Sequence, residues 1–110
     1  MNTKKVAELN DKLRRNIFHS GKDKVVLTSG FSALPFDEQL RILIKVKEFK
    51  DFNKGNNPYG ERDFGRIEHN GKDYFFKIDY YNKTMDAGSE DASNPDITIR
   101  ILTIMRSDEY

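Results

Sequence analysis

Two β-rich runs that face each other across Asn70-Gly71 constrain this chain more than any other feature. An Asn-Gly pair between such runs suits the two left-handed residues of a type I′ turn, so residues 65–69 and 72–81 are predicted to form a β-hairpin. Along the second run Tyr74, Phe76, Ile78 and Tyr80 alternate with Phe75 and Tyr81. A strand places such sets on opposite faces, and the first set is expected to face the core.

The rest of the chain is arranged around that hairpin. Val6, Leu9, Leu13 and Ile17 recur at spacings of three and four, which predicts a helix over 4–19 with Lys5, Lys12 and Arg15 turned away and Gly21 as its stop. Residues 24–28 read as a short strand. Pro35 suits a first helical turn, Asp37 and Glu38 complement the dipole, and Leu40, Leu43, Ile44 and Phe49 continue an apolar face. A helix over about 36–49 is preferred, although Ile42, Ile44 and Val46 also alternate as a strand would. Residues 97–106 form a last strand with Ile97, Ile99, Ile101, Thr103 and Met105 on one face. The expected fold is α+β, an antiparallel sheet of about four strands with two helices on one side, in the order α-β-α-β-β-β. Residues 1–110 are expected to form a single domain.

If the last three strands form a meander, the loops 51–63 and 82–96 open at one shared edge of the sheet. That edge is the expected functional site. Tyr59, Glu61, Arg62 and Asp63 precede the hairpin, Asp79, Tyr80 and Tyr81 close it, and Glu90 and Asp91 lie in the second loop. Four carboxylates converging there (Glu61, Asp63, Asp79 and Glu90 or Asp91) would suit a divalent cation or acid–base work. The structural alternative is internal pairing, with Asp79 held by Lys77 and by Arg100 across the sheet and Asp63 bonding loop amides. Replacing Asp63 or Asp79 by Asn would then lower stability or partner binding.

Composition narrows the chemistry. Hydrophobic residues make up 36% and charged residues 34% of the chain, a globular balance. There is no cysteine, so thiolate nucleophiles and sulfur-ligated zinc are excluded. His19 and His69 are fifty residues apart and form no metal spacing, and no serine sits in a nucleophile elbow. Neither a cofactor nor a metal site is expected. No apolar run approaches the length of a membrane span, and a polar N-terminus points to the cytoplasm.

The net charge is +1, but its distribution is uneven. Residues 1–30 hold seven Lys/Arg against three Asp/Glu, while residues 65–110 hold six against nine. The basic face of the first helix (Lys4, Lys5, Lys12, Arg14 and Arg15) offers a phosphate contact through Lys5, Lys12 and Arg15. Glu8 and Asp11 dilute it, so little nucleic-acid retention is expected at physiological salt.

These residues carry a resemblance. Leu9-Asn10-Asp11-Lys12-Leu13-Arg14, Val25-Val26-Leu27-Thr28, Ala33-Leu34-Pro35, the run from Asn57 to Gly65, Phe76-Lys77-Ile78-Asp79-Tyr80-Tyr81, Gly88-Ser89-Glu90-Asp91, Leu102-Thr103-Ile104-Met105 and Asp108-Glu109-Tyr110 together resemble the bacterial family known as domain of unknown function 3768. The likeness spans nearly the whole chain. The family pattern usually reads Glu-His-Asp where this chain has Glu61-Arg62-Asp63, so an imidazole-centred mechanism would not carry over. The resemblance implies no activity. It implies cytoplasmic accessory proteins in plasmid or prophage settings, and through them a role in mobile-element biology such as counteracting host defence.

Three functional readings compete. The leading one is a non-catalytic binding protein whose loop edge (56–65, 79–81 and 88–91) engages a protein partner, with exposed Tyr and Arg as anchors. The second is a divalent-metal-dependent, nuclease-like enzyme using Glu61, Asp63 and Asp79. The third is a nucleic-acid binder using the first helix. The absence of an activated nucleophile weighs toward the first and leaves catalysis open.

Overall fold

The computed structural model describes residues 2–110. Its elements are α1 (Thr3–Arg15), β1 (Lys24–Leu27), α2 (Ser29–Ser32), α3 (Phe36–Lys47), β2 (Phe64–His69), β3 (Lys72–Tyr81), β4 (Ile99–Arg106) and a closing 3-10 turn at Ser107–Glu109. The predicted hairpin forms, with His69 opposite Lys72 and positive φ at Asn70 (52°) and Gly71 (76°). β4 then pairs antiparallel with β3, so the meander is present.

The fold is α+β, as expected, but its sheet is mixed. Strand order is β1-β4-β3-β2, and β1 runs parallel to β4, with Val25 opposite Leu102 and Leu27 opposite Ile104. Parallel neighbours need a long crossover. Here α2, α3 and the whole hairpin supply it before the chain returns as β4.

Helix boundaries differ from the periodic reading for local reasons. α1 stops at Arg15 because Asn16 leaves helical geometry and its Nδ2 bonds the carbonyl of Lys12 at 2.8 Å. Ile17 nonetheless stays buried beyond the helix end. α2 falls where the chain read as the end of a strand. Thr28 caps it, its Oγ1 accepting from the Phe31 amide, and the turn delivers Phe31 fully into the core. In α3 the buried residues are Ile42, Leu43 and Val46, while Ile44 is exposed. Spacings of one, three and four define a helix face, so the alternation of 42, 44 and 46 was incidental.

The core lies between the helices and one sheet face. Leu13, Ile17, Phe31, Ile42, Leu43 and Val46 meet Ile67, Tyr74, Phe76, Ile78, Leu102 and Ile104 there. Phe75 and Tyr81 take the other face, as expected. Ile99, Ile101, Thr103 and Met105 also share it, so the core side of β4 is Arg100, Leu102 and Ile104 instead. Ile97 lies outside the strand and is exposed. On that open face Phe64, Phe75 and Tyr110 stack in a triangle, with centroids 5.2–5.5 Å apart. Nearby, Glu109 bonds the Thr28 hydroxyl and the Gly30 and Arg106 amides, which holds its carboxyl below the usual range and fixes the chain end to α2.

Gly65 allows the tightest contact in the core. A Cβ there would overlap the Phe76 ring and come within 2.9 Å of Phe49 Cε2, and those two rings pack edge-on at 5.2 Å. Because Phe76 is fully buried it has nowhere to retreat. Gly65→Ala should therefore destabilise the fold by about 2 kcal/mol through overpacking, measured as a loss in chemical denaturation.

Candidate functional site

The two loops open at one end of the sheet, as the meander requires. The Asp63 carbonyl accepts from the Ile78 amide, Tyr81 bridges Gly88, and Tyr81 lies opposite Ile99. Beneath that edge runs a buried polar network. Arg100 is only 1% exposed, with its Nε donating to Asn10 Oδ1 at 2.9 Å and its Nη2 to the Ala92 carbonyl. Its guanidinium lies 5.2 Å from the centre of the Tyr80 ring. Asn10, fully buried on α1, also donates to the Glu61 carbonyl (3.0 Å) and to Tyr80 Oη (2.8 Å). Tyr80 in turn donates to Glu61 Oε1 at 2.8 Å. Burial drives the Tyr80 phenol far above its ordinary value, so it stays protonated and acts as a donor.

A second cluster joins the same loop to α1. Asp11 accepts from Arg14 through Oδ1 and from Arg62 through Oδ2 (2.8 Å). Both guanidiniums flank Phe52, at 5.1 and 5.4 Å from its centre. Arg14 is buried, and its Nη1 donates to the carbonyls of Val46 (3.4 Å) and Phe49 (3.0 Å) at the end of α3, leaving Nε without a partner. Arg14 is therefore not part of a solvated basic face. Lys4, Lys5, Lys12 and Arg15 are exposed.

The predicted site residues separate into groups. Tyr59 is 79% exposed, and Arg62 follows three residues later on a loop held in place by asparagines. Asn53 Oδ1 accepts from the Gly55 amide, Asn56 Nδ2 donates to the Asp51 carbonyl, and Asn57 Oδ1 accepts from the Arg62 amide, all at 2.8 Å. That last bond fixes Arg62 at φ 58°. Glu61 and Tyr80 point inward to the network. Asp79 pairs with Lys77 at 3.0 Å, raising the lysine's pKa, but does not meet Arg100. The register puts Arg100 opposite Tyr80 and Asp79 opposite Ile101, on the other sheet face. Tyr81 is half-buried and Glu90 is exposed. Asp91 does not join the other carboxylates: it accepts from the Ser93 amide and hydroxyl, which keeps its pKa low. Among the described residues no three His, Asp or Glu side chains gather closely enough to hold a metal ion.

Asp63 was expected to bond loop amides, and the backbone amide its carboxylate meets is its own. Its carboxylate takes part in no ion pair among the described residues. Burial raises its pKa above the ordinary 3.8, a hydrogen bond from its own amide opposes this, and the charges of Glu61 and Asp79 raise it further. A carboxyl whose folded pKa is raised costs no stability while protonated in both states, and weakens the fold as pH climbs through the folded value. Asp63→Asn should therefore raise the melting temperature at neutral pH, opposite to the effect expected from sequence. The gain should vanish as the pH falls below the ordinary carboxylate range, which a pH series of thermal melts would read. Asn10→Ala removes the three hydrogen bonds of a fully buried amide and strands Arg100 Nε. It should cost about 3 kcal/mol in denaturant unfolding.

Sequence reasoning missed Asn10, Asp11 and Arg14 as parts of the site, although a signal was present. Val6, Asn10, Leu13, Arg14 and Ile17 share one helical stripe, and all are buried.

Comparison with curated proteins finds no match, and comparison with solved structures finds none either. A family model matches residues 27–109, from the end of β1 to the penultimate residue, and leaves out α1 with Asn10, Asp11 and Arg14. With that share of its length matched, the chain belongs to the family described as "Protein of unknown function (DUF3768)".

Proposed function

We propose that this chain is a small non-catalytic binding protein that acts in the cytoplasm and engages a protein partner through its loop edge, residues 56–65, 79–81 and 88–91. One observation carries the reading: Tyr59 stands almost fully exposed on a loop whose backbone is already ordered by Asn53, Asn56 and Asn57. A pre-ordered loop gives up little conformational entropy on association. Tyrosine and arginine are also among the side chains most enriched as interface anchors, and Arg62, three residues along the same loop, is half-exposed. The inward groups support this surface rather than perform chemistry. Glu61 is held by Tyr80 and the Asn10–Arg100 pair fixes both, so the loop presents one shape. No helix among the described residues is long and apolar enough to cross a membrane, which is compatible with a cytoplasmic setting. A role in mobile-element biology, implied by the resemblance, is the setting in which we place the partner.

The test is affinity capture from the native host with quantitative mass spectrometry. Wild type and Phe36→Ala, which alters an exposed aromatic on α3, should retain the same partner. Tyr59→Ala should reduce capture at least about tenfold, as loss of an interface anchor does. A partner that survives both Tyr59→Ala and Arg62→Ala would sink this reading.

A further inference from the structure

A cleft of about 280 Å³ lies where the ends of α1 and α3 meet the 51–63 loop, its charged lining made of Asp11, Arg14, Arg15, Lys47, Glu48, Lys50 and Arg62. Five cations face two carboxylates there, a surplus of three in a chain whose total charge is +1. Asp11 is fully engaged by Arg14 and Arg62. Arg15, Lys47 and Lys50 are exposed and have no carboxylate within 4 Å among the described residues.

Helix C-termini attract cations, and two of them converge at this cleft. Each supplies only about half a negative charge, so together they offset about one of the three surplus charges. The remainder leaves the cleft with a local positive charge that favours an anion. We propose that this cleft binds the phosphodiester backbone of nucleic acid, with Arg15, Lys47 and Lys50 contacting successive phosphates. Its volume falls just below the ~300–1,000 Å³ typical of drug-sized ligands, and charged side chains dominate its lining. An open, cation-rimmed cleft leaves a lone small anion hydrated, whereas a chain of phosphates meets all three free cations and releases their counterions. Binding of this kind carries no sequence preference.

The test is fluorescence anisotropy with a labelled DNA duplex of about 20 base pairs, titrated in salt. Three phosphate contacts predict a slope of about −2.7 in log K against log salt, so affinity should drop about 40-fold between 50 and 200 mM. Lys47→Glu/Lys50→Glu should flatten that slope to −1 or shallower. Lys24→Glu/Lys83→Glu changes the net charge equally at exposed sites outside the cleft and should keep the wild-type slope. Tyr59→Ala, on which the protein interface depends, should leave duplex binding unchanged. No binding at 50 mM salt, or an equal loss in both charge-reversed pairs, would overturn the proposal. So would inorganic phosphate saturating the cleft as tightly as the duplex does, read by chemical shifts at Arg15, Lys47 and Lys50, since that would assign free phosphate as the ligand.

Discussion

The guanidinium of Arg100 is the constraint on which the loop edge depends. Moving an ion of this kind out of water costs several kcal/mol even after relaxation. Burial pulls its pKa down, yet an arginine stays charged in a protein. The chain must therefore surround it with acceptors. They come from three separate places: Asn10 on α1, the Ala92 carbonyl in the second loop, and the Tyr80 ring on β3. Among the described residues no carboxylate touches the guanidinium directly; Asp23 and Glu61 act on it through their fields. Asp23 also accepts from the Arg100 amide, tying the approach to β1 into the same arrangement. One buried cation thus sets the relative placement of α1, β3, β4 and both loops.

Asn10 is the hinge of that arrangement because an amide both donates and accepts. Its oxygen takes Arg100 Nε, and its nitrogen serves the Glu61 carbonyl and Tyr80 Oη. An aspartate would pair with Arg100 but lose both donated bonds, and a leucine would satisfy none of the three. With Asn10 in place, Tyr80 can donate to Glu61, and the backbone at Glu61 is pinned just before Arg62 turns into left-handed geometry. The order of the exposed loop therefore rests on its own asparagines and, at Glu61, on the fully buried Asn10 beneath it.

The hairpin was legible in the sequence because its determinants are local: two alternating runs and a turn pair that tolerates positive φ. So was the sharing of one edge by both loops, which follows from strand direction alone. Partners far apart in sequence were not legible. The parallel pairing of β1 with β4 joins residues separated by more than seventy positions, and nothing in four residues announces its direction. Arg14 was read as part of a solvated face, and Arg100 as a partner of Asp79 across the sheet, because charged side chains are normally exposed or paired. Both sit in register with core residues, Arg100 with Leu102 and Ile104, Arg14 with Leu13 and Ile17. The isoleucines at 97, 99 and 101 drew attention to the opposite parity. Periodicity identified the elements, and the charged members of each periodic face marked where the site would be.

Arg62 connects that buried order to the surface. Its amide is fixed by Asn57, its guanidinium reaches Asp11, and it lies over the Phe52 ring, which Arg14 also contacts. A guanidinium can do all this because it is long, flat and permanently charged, stacking on an aromatic face while donating at its edge. The resemblance places histidine at this position. An imidazole carries a shorter side chain and a charge that fades near neutral pH, so Asp11 would lose one of its two permanent cationic partners. Arg62 instead keeps the Asp11 hub neutralised from both sides. It locks the 51–63 loop to α1 at any physiological pH and leaves Arg15, Lys47 and Lys50 as the unpaired charges of the adjoining cleft.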